Sequence, residues 1–194
     1  MSLGSTVNRE KNGTLLAYIA EHVDNINLRK MLKLVYLIDE KFMALRGFPI
    51  TWFDYYVWAK GPVAPEVYAV KQGDFSDYVT CQKNATGQYI IRSAFKHVFL
   101  LDKKMETYSP YEQKIIDDVI ALYGDKSADE LTAITHEDTS LWSQIVQEQH
   151  VSFVDGKSDV LIPLERLNEG QAEKESAYDG ALDYMQFCNA TAPC

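Results

Sequence analysis

The sequence predicts a mainly α protein of the α+β kind, a helical domain with a small antiparallel β-sheet or hairpin inserted between helices. Three observations carry that expectation. Residues 28–46 step their apolar side chains by three or four, between Asn27 and Gly47. Two capping boxes, Ser109–Glu112 and Ser127–Glu130, open helical runs further along. Between these helical regions lies "YVTCQKNATGQYIIRS", whose β-rich arms flank Asn84 to Gly87 as in a hairpin.

Taken in order, Leu15, Leu16, Ile19 and Val23 follow helical spacing and predict a first helix over residues 14–24. In the next helix Asn27 is a good N-cap and Gly47 stands where a glycine ends a helix. Its expected buried stripe is Leu28, Met31, Leu32, Val35, Ile38, Phe42 and Leu45, with Lys30, Lys33, Glu40 and Lys41 off it. Lys33, Tyr36 and Glu40 share a second face, with Asp39 three residues beyond Tyr36. That face either anchors an aromatic segment or is exposed and salt-bridged.

"FPITWFDYYVWAKGPVAPEVY" then reads as extended chain, punctuated by Gly61-Pro62. Pro65 fits the first turn of a short helix running to Gln72. "HVFLL" after the hairpin reads as one more short strand. From Ser109 the chain is helical: Ile116, Val119, Ile120 and Tyr123 form one stripe, Leu131 and Ile134 a second, and Ser140 caps a third helix carrying Trp142, Ile145 and Val146. A last helical stretch is expected over 172–188.

The chain is long enough for one domain with a sizeable core, since 46% of its residues are hydrophobic and 12% aromatic. No apolar run has the length of a membrane span. The polar leader "MSLGSTVNREKNG" has no signal-peptide core, and its first five residues look tag-derived. Cys81, Cys188 and Cys194 form no CxxC pair, which fits a reducing compartment, so a cytoplasmic location is expected. Residues 1–100 carry net +3 and residues 101–194 net −12, giving the −9 of the whole. Such a balance argues against direct nucleic-acid binding. The acidic half either attracts a basic partner or simply solvates the surface.

Motifs for chemistry are sparse. His22, His97, His136 and His150 do not pair at metal-ligand spacing, and no metal or cofactor is expected. No GxSxG, P-loop or GxGxxG pattern is present, so no enzyme is predicted. "THED", residues 135–138, reads as an inter-helix turn placing Glu137 and Asp138 near a helix N-terminus. The densest feature is "YYVWAKGPVAPEVY", a strand–turn–helix corner rich in aromatics. Tyr and Trp there suit a core or a partner-binding patch equally well, since both give large contact area at low rotamer cost.

Three blocks, "KLVYLID" (33–39), "VWAKGPVAPEVY" (57–68) and "LTAITHEDTSLW" (131–142), resemble in order and separation the signature blocks of the Panacea domain family of SocA-like antitoxins, also met in phage-associated and other mobile-element proteins. In the first block the resemblance marks Lys33, Leu34 and Tyr36. In the second it marks Trp58, Gly61, Pro62, Val63 and Tyr68, and in the third Thr135, His136 and Trp142. The family pattern often has Tyr or Trp-Tyr ahead of Gly-Pro; here Ala59-Lys60 adds a charge and removes a ring.

The resemblance implies a Panacea-like helical domain over 14–150, after a disordered or tag-derived 1–13 and before an extension, 151–194, with a terminal helix. It also implies a non-catalytic interaction module whose partner is a cognate toxin, neutralised by direct binding or by delivery to a protease. The shared blocks would then be mostly scaffold, with partner choice in segments such as 78–93 and the tail after 150. The rival expectation is an enzyme or small-ligand-binding protein with a pocket near Lys33, Tyr36, Trp58 and His136. Oligomeric state is left open, a homo-oligomer through the aromatic corner or the C-terminal helix included.

Overall fold

The computed structural model describes residues 2–191. The expectation for Cys194 lies outside them. The architecture is mainly α with two small antiparallel two-stranded sheets. Its centre is α3, Leu28–Arg46. Asn27 caps it by accepting from the Lys30 N–H (3.0 Å), and Gly47 closes it in a left-handed conformation. Met31, Leu34, Val35 and Ile38 are each fully buried, and each such side chain contributes about 1.5–3 kcal/mol by leaving water.

Around α3 pack α2 (Arg9–His22), α6 (Pro110–Tyr123) and α7 (Ala128–Thr135). A 3-10 turn, Leu164–Asn168, covers its C-terminal part, and α8 (Leu141–Glu148) lies against the first sheet. That helix is therefore surrounded rather than one-faced. This reverses two expectations. Lys30 and Lys33, placed off the buried stripe by periodicity, are 6% and 1% exposed, whereas Leu45 on the stripe is 45% exposed.

Chain entry differs from expectation too. Leu3–Thr6 forms a helical turn, α1, and α2 begins at Arg9 rather than near residue 14. The polar character of residues 1–13 hid their tertiary partners. Gly4 N–H donates to the Trp52 carbonyl (2.8 Å), and Asn12 Nδ2 donates to the carbonyls of Gly4 (2.9 Å) and Thr51 (2.8 Å). A Cβ at Gly4 would collide with the Thr51 carbonyl, so this close approach requires glycine. Arg9 and Lys11 pair with Asp74 (2.7 Å) and Glu112 (3.1 Å).

The first sheet pairs β1 (Tyr56–Trp58) with β2 (Gly61–Val63), Tyr56 opposite Val63 and Trp58 opposite Gly61. Pro65–Tyr68 follows as α4, extended by a 3-10 turn to Gln72. The second sheet is the expected hairpin, β3 (Val79–Lys83) with β4 (Tyr89–Ser93). "HVFLL" is not a strand: Val98–Met105 forms α5. Leu101 and Met105, one helical turn apart, are its buried positions, and Asp102 to Lys104 continue it as a polar face. Both capping boxes and the Ser140 cap form as expected. The terminal helix, α9, is Ala172–Thr191.

Segment 50–55 is fixed to α3 by one carboxylate. Asp39 is fully buried and accepts from the N–H groups of Ile50 (2.8 Å) and Thr51 (2.9 Å), from the Thr51 hydroxyl, and from the Tyr55 hydroxyl (2.7 Å). Burial pushes its carboxyl up to about 6, while these hydrogen bonds pull the other way. The second face of α3 thus anchors the aromatic segment, the first of its two expected roles.

Asp39→Ala is expected to cost at least about 3 kcal/mol, by leaving two buried N–H groups and two hydroxyls unpartnered, as urea denaturation would measure. With a folded pKa above the unfolded value, the native state holds the extra proton between pH of about 4 and about 6. This group's contribution to stability therefore falls as pH rises through that window. Subtracting the Asp39→Asn profile from the wild-type profile should show that decline.

Candidate functional site

The family-like blocks converge on one region. Lys33 projects from α3 beneath the β1–β2 corner and donates to the Pro62 carbonyl (3.3 Å). Gly61 adopts φ 98°, and a Cβ there would collide with Lys33 Nζ and lie 2.9 Å from Thr135 Oγ1. Glycine is required both for that angle and for the lysine beneath. Pro62 and Val63 are buried beside it.

Behind the corner, Trp142 Nε1 donates to the Trp58 carbonyl (3.1 Å), which ties α8 to β1. His136 lies against Trp142 with ring centroids 3.8 Å apart, and its Nδ1 donates to the Thr132 carbonyl (2.6 Å). Burial, with a smaller push from Lys33, holds this imidazole below its ordinary pKa. Thr135 is buried and donates to the Thr132 carbonyl (3.1 Å). Tyr36 is buried on the far side of Lys33, edge-on to Tyr55 at 5.2 Å, with its hydroxyl donating to Glu40 (3.2 Å).

In front of the corner an open cleft of about 560 Å³ extends. Its floor is built by Lys33, Trp58, Val63 and Tyr68 together with Leu28 and Leu32 of α3. Trp58 and Tyr68 meet edge to face at 4.8 Å. One rim is the hairpin turn, Gly87 to Tyr89, and the other is the turn at Asp155 to Lys157. Arg29 and Lys60 complete the lining. Of the four residues expected near a pocket, Lys33 and Trp58 line this cleft. Tyr36 and His136 pack behind it.

Sequence reasoning missed Arg29, Tyr89 and Lys157, because they arrive from three distant segments and share no linear motif. The exposed Lys60, noted as a departure from the family pattern, sits at the mouth with no ring to cover the floor. Among the described residues no group of three or more His, Cys, Asp or Glu is placed to hold a metal ion.

Lys33 is the most perturbed base of the site. Burial, with a further push from the Arg29 guanidinium, brings its ammonium down to about 7. It makes one hydrogen bond among the described residues for three donors. The unfolded chain binds this proton more tightly than the folded one, so the contribution of Lys33 to stability rises as pH climbs from about 7 toward about 10. Melting of the wild type relative to Lys33→Met, followed across that window, should show the rise; a flat difference would contradict it. Gly61→Ala is expected to destabilise by about 1–3 kcal/mol, measured by the same melts.

No curated protein and no solved structure gives a significant match to the chain. A family model described as antitoxin SocA-like, Panacea domain, does match, over residues 31–143. This span contains all three blocks that build the corner and its backing, and it exceeds half of the chain. The protein belongs to the SocA-like antitoxin family and carries its Panacea domain.

Proposed function

We propose that the protein is a non-catalytic interaction module that neutralises a cognate toxin by direct contact around the cleft. The observation that carries this reading is the origin of the cleft's parts. Motif residues Lys33, Trp58, Val63 and Tyr68 make the floor, whereas the rim comes from the hairpin turn and from the turn at 155–157. Both rim segments lie in the stretches that the sequence reading assigned to partner choice. A fixed floor with an exchangeable rim is a layout in which one fold serves different partners.

The mixture of rings and cations around the cleft favours the same reading. Tyr, Trp and Arg are the residues most often dominant in binding energy, Tyr and Trp because their rigid rings give large contact area at low entropic cost. Partner neutralisation by occlusion and delivery of the partner to a protease both begin with this contact. Loss of the partner unless a protease is deleted would identify delivery.

The test is co-expression with the open reading frame beside the gene, scoring growth rescue and co-purification. Rescue with a stable complex is expected. Making the exposed hairpin acidic, by Lys83→Glu with Gln88→Glu, should weaken the complex at least about tenfold while the melting temperature stays within about 2 °C. Partner loss only in proportion to unfolding would remove the case for a recognition surface here.

A further inference from the structure

We propose that the cleft binds a phosphorylated small molecule carrying a planar ring, a ligand of the nucleotide class, with its phosphates at Lys60 and Lys157 and its ring among Trp58, Tyr68 and Tyr89. Charge is the first ground. The lining holds Arg29, Lys33, Lys60 and Lys157 against a single acid, Asp155, in a chain of net charge −9. Lys71 stands over Tyr68 at 3.6 Å and Lys83 over Tyr89 at 5.8 Å, adding positive charge to the same walls. Of Arg29, Lys60, Lys71, Lys83 and Lys157 only Arg29 makes a salt bridge among the described residues, to Asp129 at 2.7 Å. Collecting unpaired like charges around one concavity raises the energy of the empty site, and an anion there lowers it.

The rings are the second ground. Lys157 Nζ rests 4.9 Å from the Trp58 ring centroid. An ammonium on a ring face is held only weakly at an exposed site, less strongly than by a phosphate. An arriving phosphate draws Lys157 off the indole and uncovers that face for stacking with a heterocycle.

Size and the lone acid choose among anions. A volume of about 560 Å³ is that of a small-molecule site. The net negative charge of the chain repels a long polyanion such as RNA. A ligand with sugar hydroxyls or ring N–H groups uses Asp155 as an acceptor.

Such a ligand sits inside the rim proposed to meet the toxin, so its occupancy regulates access to that rim. Ligand binding itself does not depend on the antitoxin reading. Calorimetry and growth rescue can each fail without the other.

The test is isothermal titration of the full-length chain with ATP, GTP, CTP, UTP and inorganic tripolyphosphate, alongside tryptophan fluorescence. At least one nucleotide should bind 1:1 with Kd below about 1 mM, more weakly at higher salt, and quench emission. Trp58 lines the cleft whereas Trp52 and Trp142 do not, so Trp58→Phe should abolish most of that quench. Lys60→Glu combined with Lys157→Glu, both at exposed positions, should weaken binding at least about tenfold. Lys96→Glu combined with Lys103→Glu, an equal charge change at exposed positions outside the lining, should stay within about twofold. Melting curves confirm that each variant is folded, and the two single variants replace the double one if it is not. Saturable binding of none of the five compounds, or equal binding by the charge-reversed variant, would overturn the site. Tripolyphosphate binding as tightly as every nucleotide would overturn the role of the ring.

Discussion

The structure turns on the buried carboxylate of Asp39. Gly4, Asn12 and Ile162 also bond segment 50–55, but Asp39 is the group that bonds it back to α3 itself. Through that carboxylate, Ile50, Thr51 and Tyr55 are pinned to the helix they have just left. That sets the direction in which β1 starts, and so where the Ala59-Lys60 turn falls. The corner consequently lands over Lys33, six residues earlier in the same helix. One helix thus carries both the anchor and the ground on which the anchored segment rests, and the Tyr36–Tyr55 ring contact fills the space between them.

The two buried ionisable groups of α3 are treated in opposite ways. The Asp39 carboxylate is saturated with donors, the condition under which a buried polar group serves stability. Lys33 has one carbonyl for three donors, and its neighbours Arg29 and Lys60 have the same sign of charge. A saturated carboxylate and an undersaturated ammonium thus lie less than two turns apart on the same helix.

What the sequence disclosed follows from the range over which each signal acts. The caps at Asn27, Ser109, Ser127 and Ser140 are decided within four residues, and all four formed as read. The hairpin is likewise local. The buried state of Lys30 and Lys33 was invisible, because periodicity assigns one wet face to a helix and α3 has almost none. The strand reading of "HVFLL" judged five residues without the Asp102–Met105 turn that continues them. The motif residues of the site were legible through resemblance, and Asp39 was named beside Tyr36 as a group able to anchor the rings. The rim was legible only as two segments, 78–93 and the tail after 150: that Tyr89 and Lys157 meet Arg29 at one cleft follows only from the fold.

The strand-like stretch after α8 also matters to how this chain is put together. Val57 N–H donates to the Val160 carbonyl and Ala59 N–H to the Gly156 carbonyl, each at 2.9 Å, while Ile162 N–H donates to the Tyr55 carbonyl at 2.7 Å. The outer edge of β1 is therefore completed by residues beyond the span that the family model matches. Asn168 Nδ2 further donates to the Gly47 carbonyl (2.7 Å), and Lys174 Nζ to that of Ala44 (2.6 Å). In modular terms the domain and its tail are not two cassettes. A chimaera joined at residue 150 would bare one strand edge and the end of the central helix, so any segment joined there has to carry a compatible edge and a matching helix clasp.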